Sequence, residues 1–163
     1  MFVRAKTIKN RKYAYLVSNT WKEGKVKQSV NKYLGPIIDL GNPCRDAFSF
    51  ELDSSLSSRQ SLRECISREF QSFGFHRQNN KLYHGCICID MVRGTIKTGS
   101  KQVVLALNGR FLHDKQLSYL LSFNDPETES ERPGTRLAKA FSDSGIRISP
   151  DVFIRLYKKL YDR

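Results

Sequence analysis

What this chain lacks narrows its chemistry first. It has no run of about 18 apolar residues, so no membrane-spanning helix is expected. The opening MFVRAKTIKN has no apolar core of the kind a signal peptide carries, which predicts an unsecreted protein. Only four cysteines occur, Cys44, Cys65, Cys86 and Cys88, too few and too scattered for a disulfide framework, so reduced thiols and a cytoplasmic setting are expected. No glycine-rich phosphate loop follows a strand: Gly94 to Gly99 fits neither GxxxxGK with Ser or Thr next nor GxGxxG, which leaves nucleotide cofactors without support. Acid is the scarcest commodity at one end. The first 36 residues contain a single carboxylate, Glu23.

What is present is base. The 163 residues carry a formal net charge of +12, with a pI near 9.7, and 39% apolar residues, enough for a packed core. The excess is uneven. Residues 1–36 hold nine lysines and arginines, Arg4, Lys6, Lys9, Arg11, Lys12, Lys22, Lys25, Lys27 and Lys32, giving two thirds of the net charge in about the first fifth of the chain. A solubility device would be spread more evenly. Concentration of this kind points to a surface for a polyanion.

The basic segment reads as strands. Phe2 to Thr7 predicts a first strand, and Lys9 to Lys12 a turn into a hairpin over Arg11 to Gly35, RKYAYLVSNTWKEGKVKQSVNKYLG. Val, Tyr, Trp and Thr are enriched on both sides of Lys22-Glu23-Gly24, and a three-residue loop commonly takes Gly third, where the backbone turns left-handed. That register sets Trp21 opposite Lys25, Thr20 opposite Val26, Leu16 opposite Val30 and Ala14 opposite Lys32. One side of the pleat is then aliphatic and suits a core. The other combines Tyr13, Tyr15 and Trp21 with Lys25 and Lys27, a mixture suited to nucleic acid. The alternative is that these aromatics pack beneath a third strand. Gly35-Pro36 is expected to end the unit, and a helix to cover its apolar face, because a meander alone buries too little.

Tyr15-Leu16-Val17, then Glu23-Gly24-Lys25-Val26-x-Gln28, then Tyr33-Leu34-Gly35, resembles the N-terminal segment of DDE-class insertion-sequence transposases, and the start of uncharacterised archaeal proteins with the same opening. The resemblance covers about residues 3–35. It implies a DNA-contacting role for this segment and no catalysis, since the chain is too short for that family's RNase H-like domain and its acidic triad has no counterpart here.

Further along, Ile37 to Cys44 reads as a connection and Ala47 to Leu52 as a short strand. Ser54 to Ser61 supplies N-caps for a helix from about Ser58 to Phe73, with Leu62, Cys65, Ile66, Glu69, Phe70 and Phe73 at helical spacing and Gly74 as the stop. Leu82 to Met91 predicts one strand, with Val92 to Lys97 pairing beside it across Arg93-Gly94. Gln102 to Leu107 predicts another, and Asn108-Gly109 a tight hairpin into Phe111-Leu112. Short helices are expected over Lys115 to Phe123 and Thr135 to Ser144, separated by a polar loop over 124–134. A last helix starts at Ser149-Pro150-Asp151. Its basic residues Arg155, Lys158, Lys159 and Arg163 suit a solvated face near the negative end of the helix dipole.

Sites for chemistry are sparse. His84-x-Cys86-x-Cys88 would share one face of a strand, but alternate strand residues are too widely spaced for easy tetrahedral closure on zinc, so Cys86 and Cys88 read as small core residues. A cysteine nucleophile would need His76, His84 or His113 as its base, and no hydrolase signature surrounds any of the four thiols. Glu51, Asp53 and Asp90 are the candidate carboxylates for a metal-dependent nuclease, without a recognisable spacing. The sequence therefore predicts an α+β protein. Residues 1–36 form a basic meander lobe, and residues 37–163 an α+β scaffold domain, of which residues 82–163 could dock a ribonucleoprotein or protein partner. The expected activity is non-catalytic binding of DNA or RNA through Arg4, Lys6, Lys9, Arg11, Lys12, Tyr13, Tyr15, Trp21, Lys22, Lys25, Lys27 and Lys32, with no metal or cofactor. The alternatives are an adaptor seated on a ribonucleoprotein such as a ribosome, and the nuclease.

Overall fold

The computed structural model describes residues 1–44, 50–123 and 134–161. The fold is α+β, with two five-stranded sheets and four helices among the described residues. The first sheet opens with three strands, β1 (Phe2–Ile8), β2 (Arg11–Lys22) and β3 (Lys25–Asp39), joined as an antiparallel meander. Both turns are two-residue loops. Lys9-Asn10 has φ of 46° and 62°, and Glu23-Gly24 has φ of 53° and 73°. Left-handed values at both central residues mark the turn whose twist matches that of the flanking strands, and Asn-Gly-type pairs favour it.

β3 does not stop at Gly35-Pro36 as expected. It runs on to Asp39 and pairs in parallel with β9 (Val104–Leu107), Ile37 opposite Val104. Gly35 is the pivot. Its φ is +126°, and a Cβ there would lie 2.6 Å from the carbonyl oxygen of Gln102. Only glycine lets β3 cross that close to another backbone. Pro36 follows without breaking the strand, although it has no N–H to give the ladder.

The second sheet is an antiparallel meander of short strands: β4 (His76–Gln78), β5 (Lys81–His84), β6 (Ile87–Asp90), β7 (Thr95–Thr98) and β8 (Lys101–Gln102). The single strand expected over Leu82 to Met91 is two, folded back at Gly85-Cys86, where Gly85 has φ +55°. The strand expected over Gln102 to Leu107 is also divided. β8 belongs to the second sheet and β9 to the first, with Val103 between them donating its N–H to Ile96 O at 3.1 Å. Asn108-Gly109 makes the tight turn into β10 (Arg110–Leu112).

Helix α1 (Ser58–Ser72) starts on a capping box. Gln60 N–H donates to Ser57 Oγ, and Ser57 N–H donates to Gln60 Oε1. Gly74, with φ +86°, follows its end. The expected stripe is buried in full, Glu69 included. Glu69 is only 1% exposed and is held by Arg147 Nε at 3.0 Å and Asn108 Nδ2 at 2.6 Å. Helices α2 (Asp114–Leu121), α3 (Thr135–Ser144) and α4 (Pro150–Tyr161) fall where the periodicity put them. Lys159 pins α4 to the segment before α1 by donating to the carbonyls of Asp53, Ser54 and Leu56 at 2.7 to 3.0 Å. The strand expected over 47–52 and the loop over 124–134 fall largely outside the described residues, and Phe50 to Leu52 is not regular.

The main core gathers α1 to α4, the second sheet, Leu105, Leu107 and Leu112. It contains no residue of β1, of β2 or of β3 before Ile38. α1 therefore covers the second sheet and not the N-terminal meander, in which Ala14 and Val17 are buried and Tyr13, Tyr15 and Leu16 half-buried, while Asn19 to Tyr33 are exposed. That meander stands out as an arm rooted in the body through Gly35 to Asp39.

Candidate nucleic-acid interface

The arm narrows toward its end. β1 accompanies β2 from Arg11 only as far as Val17, whose partner is Phe2. Beyond that point β2 and β3 continue as a two-stranded ribbon to the Glu23-Gly24 turn. Two shifts in register, between Ala14 and Tyr15 and between Leu16 and Val17, give β3 two extra residues, Leu34 and Asn31. Such bulges increase local twist and bend the strand that carries them.

These shifts decide which side chains share a face. With the two-residue turn, Lys22 pairs with Lys25, Trp21 with Val26, Thr20 with Lys27 and Asn19 with Gln28. The expected three-residue loop was one residue out, and a slip of one moves every side chain of a strand to the opposite face. Lys25 and Lys27 therefore lie opposite to the aromatics, not among them. The bulge at Asn31 then restores the expected parity, so Tyr33 joins the aromatics and Lys32 keeps its expected face, although it pairs with Leu16 and not with Ala14.

Two chemically different faces result. The aromatic face carries Tyr13, Tyr15 and Tyr33, with ring centroids 5.3 to 6.3 Å apart, then Val17, Asn19 and Trp21, together with Arg4, Lys6 and Arg11. Arg4 donates to Gln28 Oε1, and Gln28 Nε2 donates to Asn19 Oδ1 at 3.2 Å, which ties the three strands together there. Burial raises the Tyr33 hydroxyl pKa, helped by Tyr13 and Tyr15. At the end of this face Trp21 is 72% exposed, beside Val26 and Val30 at 56% and 66%. Trp21 at the ribbon's tip has no third strand beside it, since β1 never reaches it, whereas Tyr13 and Tyr15 lie next to Lys6 and Arg4 of β1.

The opposite face carries Lys12, Lys22, Lys25, Lys27 and Lys32, interleaved with hydroxyls. Ser18 Oγ lies 3.0 Å from Ser29 Oγ and donates to Asn31 Oδ1 at 2.9 Å, and Thr20 Oγ1 donates to Lys27 O at 3.2 Å. Lys9 sits in the first turn. All twelve predicted residues thus lie on the arm, divided between its faces and that turn. Among the described residues, no ion pair uses any of the arm's cations, so their charge is available to a ligand.

The other candidates for chemistry do not assemble. Cys86 lies exposed in the β5–β6 turn, which corrects its assignment to the core and separates it from His84. Cys88 is half-buried, opposite Tyr83. Cys65 on α1 is the buried thiol, and burial pushes its pKa up to about 12, the wrong direction for a nucleophile. Asp53 accepts the N–H and hydroxyl of Ser55, each at 2.8 Å, and these bonds hold its carboxyl below the usual range. Burial would raise Asp90, but the N–H groups of Arg93 and Val92, with Lys81 and Arg93 nearby, bring it below that range. Both carboxylates are occupied in shaping turns. Among the described residues no three His, Cys, Asp or Glu side chains group as metal ligands, and no helix is long and apolar enough to cross a membrane.

No family model matches the chain, and neither a curated protein nor a solved structure matches it.

Proposed function

We propose that this protein binds nucleic acid without acting on it, through the projecting β-arm. The observation that carries the reading is the arm itself: a three-stranded meander thinning to an exposed two-stranded ribbon, with five lysines on one face. A surface with this much unneutralised charge favours a polyanion, because each phosphate contacted releases counterions. Lysines supply point charges and carry little sequence information, so backbone binding is the primary mode. On the other face, the exposed indole of Trp21 offers a stacking surface for a base or sugar. The likeness to the DNA-contacting segment of transposases agrees with this role. Titration of the purified, nuclease-treated protein with labelled oligonucleotide tests it, and the reading fails if no binding occurs at low salt.

A second reading is an adaptor whose arm reaches into a ribonucleoprotein such as a ribosome. The apolar stripe of Trp21, Val26, Val30 and Phe2 favours it, since an uncovered apolar strip beside a lysine face suits a surface that is part protein and part nucleic acid. Pull-downs with and without nuclease separate the two: capture of protein that survives nuclease supports the adaptor.

A further inference from the structure

The lysine face does not end in open solvent at the root of the arm. Lys12, Ala5 and Thr7 share that face, and the three of them form one wall of a cleft of about 360 Å³. The opposite wall is the β9–β10 hairpin, with Arg110 and the half-buried ring of Phe111. Ile37, Asp39, Gly41 and Asn42 complete the lining, and Asp39 Oδ1 is fixed by the Gly41 N–H at 2.9 Å. The cleft therefore offers an aromatic platform, two cations, an oriented carboxylate and an amide. Its size lies within the range of small-ligand pockets and admits one nucleobase, not a base pair.

We infer that a nucleic-acid strand lying along the lysine face delivers one unstacked nucleotide into this cleft, so that the protein prefers single strands or frayed ends over closed duplex. This rests on the nucleic-acid reading above. Lys22 and Lys25 at the tip and Lys12 at the root are ten strand residues apart, so the track is about 33 Å long. The base would stack on Phe111, Asp39 and Asn42 would meet its polar edge, and Lys12 and Arg110 would take the flanking phosphates. A paired base cannot reach these groups without leaving its stack, which a closed duplex resists.

The test compares fluorescently labelled single strands of about 4 to 16 nucleotides with a blunt hairpin duplex, over one common series of salt concentrations, for wild type and three variants. Single strands should bind at least tenfold tighter than the duplex. Phe111→Leu should remove about tenfold or more of single-strand affinity, the scale of one lost base–aromatic stack. It should leave the salt slope unchanged, because stacking moves no counterion. Arg110→Gln carries the same question if Phe111→Leu misfolds, and should weaken single-strand binding more than duplex binding. Equal affinity for the two substrates, or single-strand binding unaffected in both cleft variants, overturns the cleft while the arm reading stands. The Lys22, Lys25 and Lys27→Gln triple variant isolates the arm: wild-type binding by that variant removes the arm reading and this inference with it.

Discussion

Trp21 illustrates how a single residue can be placed correctly by an imperfect argument. A position beside a turn at the tip of a lobe favours exposure, and Trp21 is 72% exposed, yet the partner expected opposite it, Lys25, is Val26. The cause is one residue of loop length. Glu23 tolerates the left-handed φ of 53° that a two-residue turn demands, and a sequence reading that reserves that conformation for Gly24 alone lengthens the loop. A tryptophan this exposed should emit as a solvated indole. Trp21→Ala should change folding stability by about 0.5 kcal/mol or less, as surface substitutions do, and weaken oligonucleotide binding by roughly 1 to 3 kcal/mol if a base stacks there. Chemical unfolding and titration of the same variant check the two halves. A stability loss of about 3 kcal/mol would mean that the indole is a core residue.

At the scale of elements, helices were the most legible. α1 was readable from Ser57 to Gly74 because cap, periodicity and stop agree on the same boundaries. Glu69 kept the apolar stripe's spacing and is buried, but its partners Arg147 and Asn108 come from distant segments that no local pattern announces. Strands were harder for the same reason. The division of the stretch around Val103 and the continuation of β3 through Gly35 depend on which sheet each segment joins. Gly35→Ala tests that junction. A Cβ at φ +126°, 2.6 Å from Gln102 O, should cost about 1 to 3 kcal/mol in chemical unfolding, the usual price of backbone strain. A loss below about 0.5 kcal/mol would contradict the pivot. α2 gives a pH dependence through His113, the residue before its first turn. Burial lowers the His113 pKa, opposed by Asp114 and reinforced by Lys115 and Lys32. Between its depressed folded value and the unfolded value near 6.5, the unfolded chain binds more protons, so stability rises with pH across that window. Unfolding free energy should fall as pH drops below about 6.5, and His113→Gln should remove that part of the slope. A slope unchanged in the variant would assign it to other groups.

The whole molecule is a packed α+β body with a charged arm. The uneven charge was legible from the positions of the lysines and arginines along the sequence, and the meander from its strand and turn pattern. That the outer ribbon is uncovered was not, because the apolar residues that suggest a buried face, Val26 and Val30, instead lie exposed on it, while Ala14 and Val17 nearer the root are buried. The most direct test of the central claim is the salt dependence of oligonucleotide affinity, by fluorescence anisotropy, for wild type and for the Lys22, Lys25 and Lys27→Gln variant. If about four to six arm cations meet phosphates, log K against log salt concentration should slope roughly −3 to −5 for the wild type, and the variant's slope should be shallower by about 2. Affinity independent of salt, or an identical slope in the variant, would contradict the account and place the binding surface elsewhere on the molecule.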